Sequence, residues 1–118
     1  MKPMSPRAAA FEAALSEARQ RHAAGDTGAA MQALERAHVL GQTDFGPHLR
    51  AHVAMLRIAF ASRNWHEVSG QVMRIALVPV GHLFGRLPRG NTGRSNVSAF
   101  AAMPIPPELE RLLDNQEK

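Results

Sequence analysis

Between Phe11 and Val78 the apolar residues recur at helical spacing, and turn residues cut the recurrence three times: at Gly25, within "GQTDFGP" and at Asn64. Residues spaced i, i+3, i+4 and i+7 share one face of a helix, so four helices and an all-α fold are expected. Ser5 followed by Pro6 opens the first, a capping hydroxyl and then a proline whose missing N–H costs nothing in the first turn. Phe11, Leu15, Ala18 and His22 form its inner face. Gly25 ends it, Asp26 or Thr27 caps the second helix, and Ala30, Leu34, Ala37 and His38 face inward before Gly41 stops it. Pro47 stands in the first turn of the third helix, which is expected to reach about Ser62 with Leu49, Val53, Leu56 and Phe60 as its apolar stripe. The string "NWHE" predicts a capping box in which Asn64 caps the fourth helix and Glu67 reaches back. Val68, Val72, Ile75 and Ala76 are its expected buried face. Glu67, Gln71 and Arg74 form a polar stripe, expected to be solvated or to bond internally.

At 118 residues the chain has the length of one domain, 1–118. Within it the helical part is expected over 7–78, an extended segment over 79–107 and a short helix over 107–114. The stretch "HAAGDTGAAMQALERAHVLG" aligns with "FASRNWHEVSGQVMRIALVP" at an offset of about 38 residues, a faint internal repeat. Ala30 and Ala37 follow Gly25 by five and twelve positions, a pattern that resembles tetratricopeptide repeats; small residues there let two helices approach to about 8–10 Å. That resemblance implies two antiparallel helical hairpins. Beyond Val78 the chain is rich in Gly and Pro, which argues against a regular helix before Pro106. Val97, Phe100, Met103 and Ile105 are nevertheless too apolar for a free tail. Two stacked hairpins bury little surface unaided, so this segment is expected to lie extended across them. Pro106 or Pro107 then opens the last helix, with Leu109, Leu112 and Leu113 inward.

The chemistry-bearing residues cluster around one loop. Glu35 and His38 are three apart on the second helix, and His48 and His52 four apart on the third, so each pair shares a helical face. Paired helices carrying three histidines and a carboxylate can surround zinc, nickel or iron. His66, Glu67 and His82 are candidate outer ligands. A full di-iron centre needs two Glu-x-x-His motifs, and this chain has one. The competing reading is that His38 and His52 donate ring N–H groups to carbonyls at the helix ends in "LGQTDFG".

A second candidate is "GRLPRGNTGRS", where Arg86, Arg89, Asn91, Thr92, Gly93 and Arg94 could cradle an anion. It lacks the Gly-Lys-Ser/Thr end of a Walker A loop and no strand precedes it. The net charge of +4 is concentrated there, since no Asp or Glu lies between Val68 and Pro107.

Composition narrows the function classes. There is no cysteine, which removes disulfides, thiolate zinc sites and a Cys nucleophile together. Aromatic residues are 5%, too few for base-stacking surfaces, which argues against nucleic acid as a partner. No secretory pattern or long apolar run points to export or to a membrane, so a cytoplasmic protein is expected, and the "NVS" sequon at Asn96 carries no meaning there. No Gly-x-Ser-x-Gly elbow or other complete catalytic set is visible.

Taken together, "AHVLGQ", the His-x-x-x-His helix, "GNTGRSNVSAF" and "MPIP" resemble a small bacterial family of uncharacterised proteins of about this length, with no established activity to carry over. Arg94 departs from the small residue expected after Gly93. The leading expectation is a non-enzymatic helical interaction module with a protein partner or self-association. Divalent-metal binding through His38, His48, His52 and Glu35 is the alternative, and anion or RNA binding through the Arg-rich loop the third.

Overall fold

The structure is a computed structural model that describes residues 3–115. Among the described residues it contains five helices and no strand: α1 (Pro6–Ala23), α2 (Thr27–Gly41), α3 (Phe45–Ala61), α4 (Trp65–Phe84) and α5 (Pro107–Asn115). Three helices begin where the sequence places a cap. Ser5 Oγ accepts from the Ala8 N–H at 3.1 Å, an Asp26 carboxylate oxygen from Ala29 at 3.0 Å, and Asn64 Oδ1 from Glu67 at 3.2 Å. Each bond satisfies a donor the helix itself leaves free. The reciprocal half of the expected capping box is absent, because the Glu67 carboxylate turns into the protein.

The core gathers on α2, whose Ala30, Ala33, Leu34 and Ala37 have no exposed surface. α1 packs against one side of α2 and α3 against another, while α5 adds Leu109 to the same cluster. Close approach depends on missing side-chain volume. A Cβ on Gly41 would lie 2.8 Å from both Phe11 Cε1 and Pro47 Cβ, so glycine lets α1 and the start of α3 close over the end of α2. Among the described residues no helix is long and apolar enough to cross a membrane.

The buried faces of α3 and α4 differ from those expected. α3 turns His48, Ala51, His52, Met55, Ile58 and Ala59 inward, whereas Leu49, Val53 and Leu56 are half-buried and Phe60 is 62% exposed. α4 buries Glu67, Gln71, Arg74 and Val78 and exposes Val72 and Ala76, the reverse of the apolar face read from periodicity. A hydrophobic pattern identifies the inner face only when the polar stripe has no partners indoors. Here the carboxylate, amide and guanidinium of that stripe all have hydrogen-bond partners, and satisfied polar groups escape most of the burial penalty.

α4 also continues past Val78 to Phe84 with Pro79 inside it, so the boundary expected at Val78 is too early. Pro79 is exposed, where its missing N–H costs one helical bond and no packing. Gly85, at φ 66°, ends the helix, and the Arg86 N–H closes on the Gly81 carbonyl at 2.9 Å. From Arg86 to Pro106 the chain crosses the helices as a strap without regular helix of its own. Gln42 Nε2 donates to the Pro88 carbonyl at 2.7 Å and Arg74 Nη2 to the Val97 carbonyl at 2.6 Å, tying the strap to α2 and α4.

Candidate metal centre

Three of the four residues singled out at the loop meet inside the protein. His38 near the end of α2 and His48 and His52 on α3 are each at most 6% exposed, and their ligand nitrogens lie within 4.8 Å of one another. His38 Nε2 stands 3.1 Å from His52 Nε2 and 3.1 Å from His48 Nε2. A tetrahedral zinc ion with bonds of about 2.0–2.1 Å holds its nitrogens about 3.3 Å apart.

The second nitrogen of each ring decides the chemistry. His38 Nδ1 sits 2.7 Å from the Asn91 carbonyl, which can only accept, so Nδ1 carries the proton and Nε2 a lone pair. His52 Nδ1 sits 2.7 Å from Gln71 Oε1. That amide's orientation is set on its other side, because Gln71 Nε2 donates to Glu67 Oε2 at 2.7 Å and to the Gly93 carbonyl at 2.8 Å. His52 therefore also presents a lone pair at Nε2. Two lone pairs facing at 3.1 Å do not form a hydrogen bond; a cluster arranged in this way could hold a metal ion. His48 stands beside them, its Nδ1 lying 2.9 Å from His82 Nε2, a ring nitrogen that can donate or accept. Acceptor-only partners such as those of His38 and His52 fix the tautomer and aim of a ring.

Burial holds all three rings in the neutral form. His38 is pushed well below the usual imidazole range by burial, with the neighbouring His52 and His48 adding to the effect. His48 is pushed to about 3 by burial, and His52 is lowered by burial against the opposing bond from Gln71. Glu67 goes the other way from its surroundings. Burial alone would raise it, but donors from Gln71, Arg94 and Ser95 hold it below the ordinary carboxylate range.

The remaining candidates are placed elsewhere. Glu35 does not join the histidines: Arg94 Nη1 holds its carboxylate at 3.0 Å, while Arg94 Nε holds Glu67 at 3.0 Å. His66 is exposed, and Glu67 reaches the cluster only through Gln71. The expected helix-end carbonyls in "LGQTDFG" are not the acceptors for His38 and His52; the strap and α4 supply them instead. The Arg-rich loop does not converge on an anion either. Asn91 is spent on the Ser98 and Ala101 carbonyls at 2.7 Å each and on the Gly93 N–H, Arg94 is spent on two carboxylates, and Arg86 and Arg89 are exposed. Gly93, at φ 84°, is there for a steric reason. A Cβ on it would come 2.6 Å from the His38 ring.

Sequence reading left open whether the Glu67, Gln71 and Arg74 stripe is solvated or bonds internally, and it did not assign Gln71 or Asn91 as partners of the histidines. The 67/71/74 spacing was the available signal, since a Gln between two charges on one helix face suits an internal network. Above the three histidines lies a cavity of about 460 Å³. Its walls include Leu77, Val80, Phe84, Leu87 and Phe100, together with Arg74.

No curated protein and no solved structure matches the chain. Residues 5–113 match the family described as "Protein of unknown function (DUF3703)", and the chain belongs to that family.

Proposed function

We propose that this protein binds one divalent transition-metal ion through the Nε2 atoms of His38, His48 and His52. The observation that carries this reading is the pair of acceptor nitrogens, His38 Nε2 and His52 Nε2, facing at 3.1 Å with both Nδ1 atoms committed to acceptors. A neutral, buried triad needs no deprotonation to receive the ion. An all-imidazole set suits zinc or nickel better than iron(II), whose usual set adds a carboxylate, and Glu35 is held away by Arg94. All three histidines line the cavity, so an ion bound to them keeps a further position toward it. Purified protein dialysed against buffered zinc should retain one ion per chain by elemental analysis. His52→Ala should retain less than a tenth of that. Equal retention by the two proteins rules the triad out.

A second reading, self-association of two tetratricopeptide-like hairpins, is favoured by the outer face of α4. From Val68 to Gly85 the only Asp, Glu, Lys or Arg is Arg74, and it is buried. Val72, Met73 and Leu83 are all about half exposed or more, with Trp65 and Phe60 in edge-to-face contact at one end. A helix of this length presents a strip about 30 Å long. An uncharged strip of several hundred Å² has the extent of an association surface, and its lack of charge suits an identical copy better than a charged partner. Light scattering should give twice the chain mass at tens of micromolar, and Leu83→Asp should return the protein to the monomer mass. A monomer at every concentration ends this reading.

A further inference from the structure

The cavity above the triad combines an apolar body with imidazole and guanidinium groups. Leu77, Val80, Phe84, Leu87 and Phe100 supply carbon surface, and about 460 Å³ is within the range of small-molecule sites. Around the histidines the fixed charges balance: Glu35 and Glu67 share Arg94, and Arg74 supplies the second positive charge. With neutral imidazoles, a divalent ion leaves this surrounding two positive charges in excess, in a site walled by carbon. Arg74 lines the cavity together with the three histidines. Its Nε is buried with no acceptor, although Nη1 and Nη2 are bonded to the Gly70 and Val97 carbonyls. Arg86, exposed, lines the same cavity. An unmatched charge in such surroundings is costly unless an anion compensates it.

We infer that this cavity takes a small monoanionic carboxylate with an apolar body, its head on the ion held by His38, His48 and His52 and beside Arg74, its body against Leu77, Val80, Phe84, Leu87 and Phe100. The inference rests on the metal-binding reading above. A phosphate head with two charges and no carbon body would meet few free donors and would leave the apolar walls uncovered.

The test uses the full chain loaded with cobalt(II), whose visible bands report the ion and its ligands separately. Acetate, hexanoate and inorganic phosphate are titrated against those bands. Each buried methylene strengthens binding about fourfold. Hexanoate should therefore perturb the spectrum at a concentration at least tenfold below acetate, with phosphate weaker than hexanoate. Phe84→Ser, at an exposed wall position, should narrow the hexanoate preference to about threefold with the cobalt bands intact. Arg74→Met should weaken hexanoate about tenfold while cobalt is still taken up. Cobalt bands that respond equally to acetate and hexanoate, that respond most to phosphate, or that respond to none of the three overturn the carboxylate site and leave the metal reading standing. No cobalt bands at all overturn both.

Discussion

Lowering the pH from 7.5 to 5 without added metal should reduce the protein's stability by about 4 kcal/mol, seen as a fall in Tm of 10 °C or more. His38, His48 and His52 are all depressed in the folded state, chiefly by burial, and His48 reaches about 3. In the unfolded chain each returns to about 6.5 and takes up a proton below that pH. The unfolded state then binds more protons, so the stability present above pH 6.5 is lost as the pH falls, and for His48 the loss continues to about pH 3. Each pH unit below 6.5 costs about 1.4 kcal/mol for every ring that stays neutral. His38 and His48, the two rings depressed most, are the ones counted. A total of about 4 kcal/mol is a large fraction of a typical domain's 5–15 kcal/mol. Thermal melts by circular dichroism across this range check the expectation. A Tm that stays level down to pH 5 would contradict a buried, neutral triad.

Zinc should act in the opposite direction. At a free concentration a hundred times its Kd, an ion that binds only the folded chain stabilises it by about 2.7 kcal/mol. For a domain of this size that is a rise in Tm of about 10 °C at pH 7.5. The gain should persist at pH 5, because rings held neutral there by burial keep their lone pairs for the ion. His48→Ala should melt at the same temperature with and without zinc, since two imidazoles at one end of a cavity hold the ion far more weakly than three. A wild-type Tm unmoved by zinc, or a His48→Ala protein that gains as much as wild type, defeats the assignment of these rings as ligands. The strap contributes to the same site. A Cβ on Gly93 would strike the His38 ring, and the Asn91 carbonyl holds its Nδ1, so zinc affinity also reports on how the strap is seated.

What the amino-acid order determined by itself is local. The caps at Ser5, Asp26 and Asn64, the helices they open, and the glycine that ends α1 follow from interactions within a few residues, and such interactions are legible in one dimension. The same holds for the three-residue and four-residue spacings that put Glu35 with His38 and His48 with His52. Tertiary structure decided which faces turn inward and which of those pairs meet. On α4 the polar stripe won the interior over Val72 and Ala76, because Glu67 finds donors on Arg94 and Ser95, residues distant in sequence that the strap delivers. Glu35 lost its place beside the histidines for the same reason: Arg94, 59 positions away, holds it more closely. The acceptors that fix the ring protons, Asn91 and Gln71, come from a loop and a helix face whose proximity no local pattern encodes. Burial, which sets the charge of the triad, depends on the whole enclosure, and so it belongs to the folded chain rather than to any segment of it.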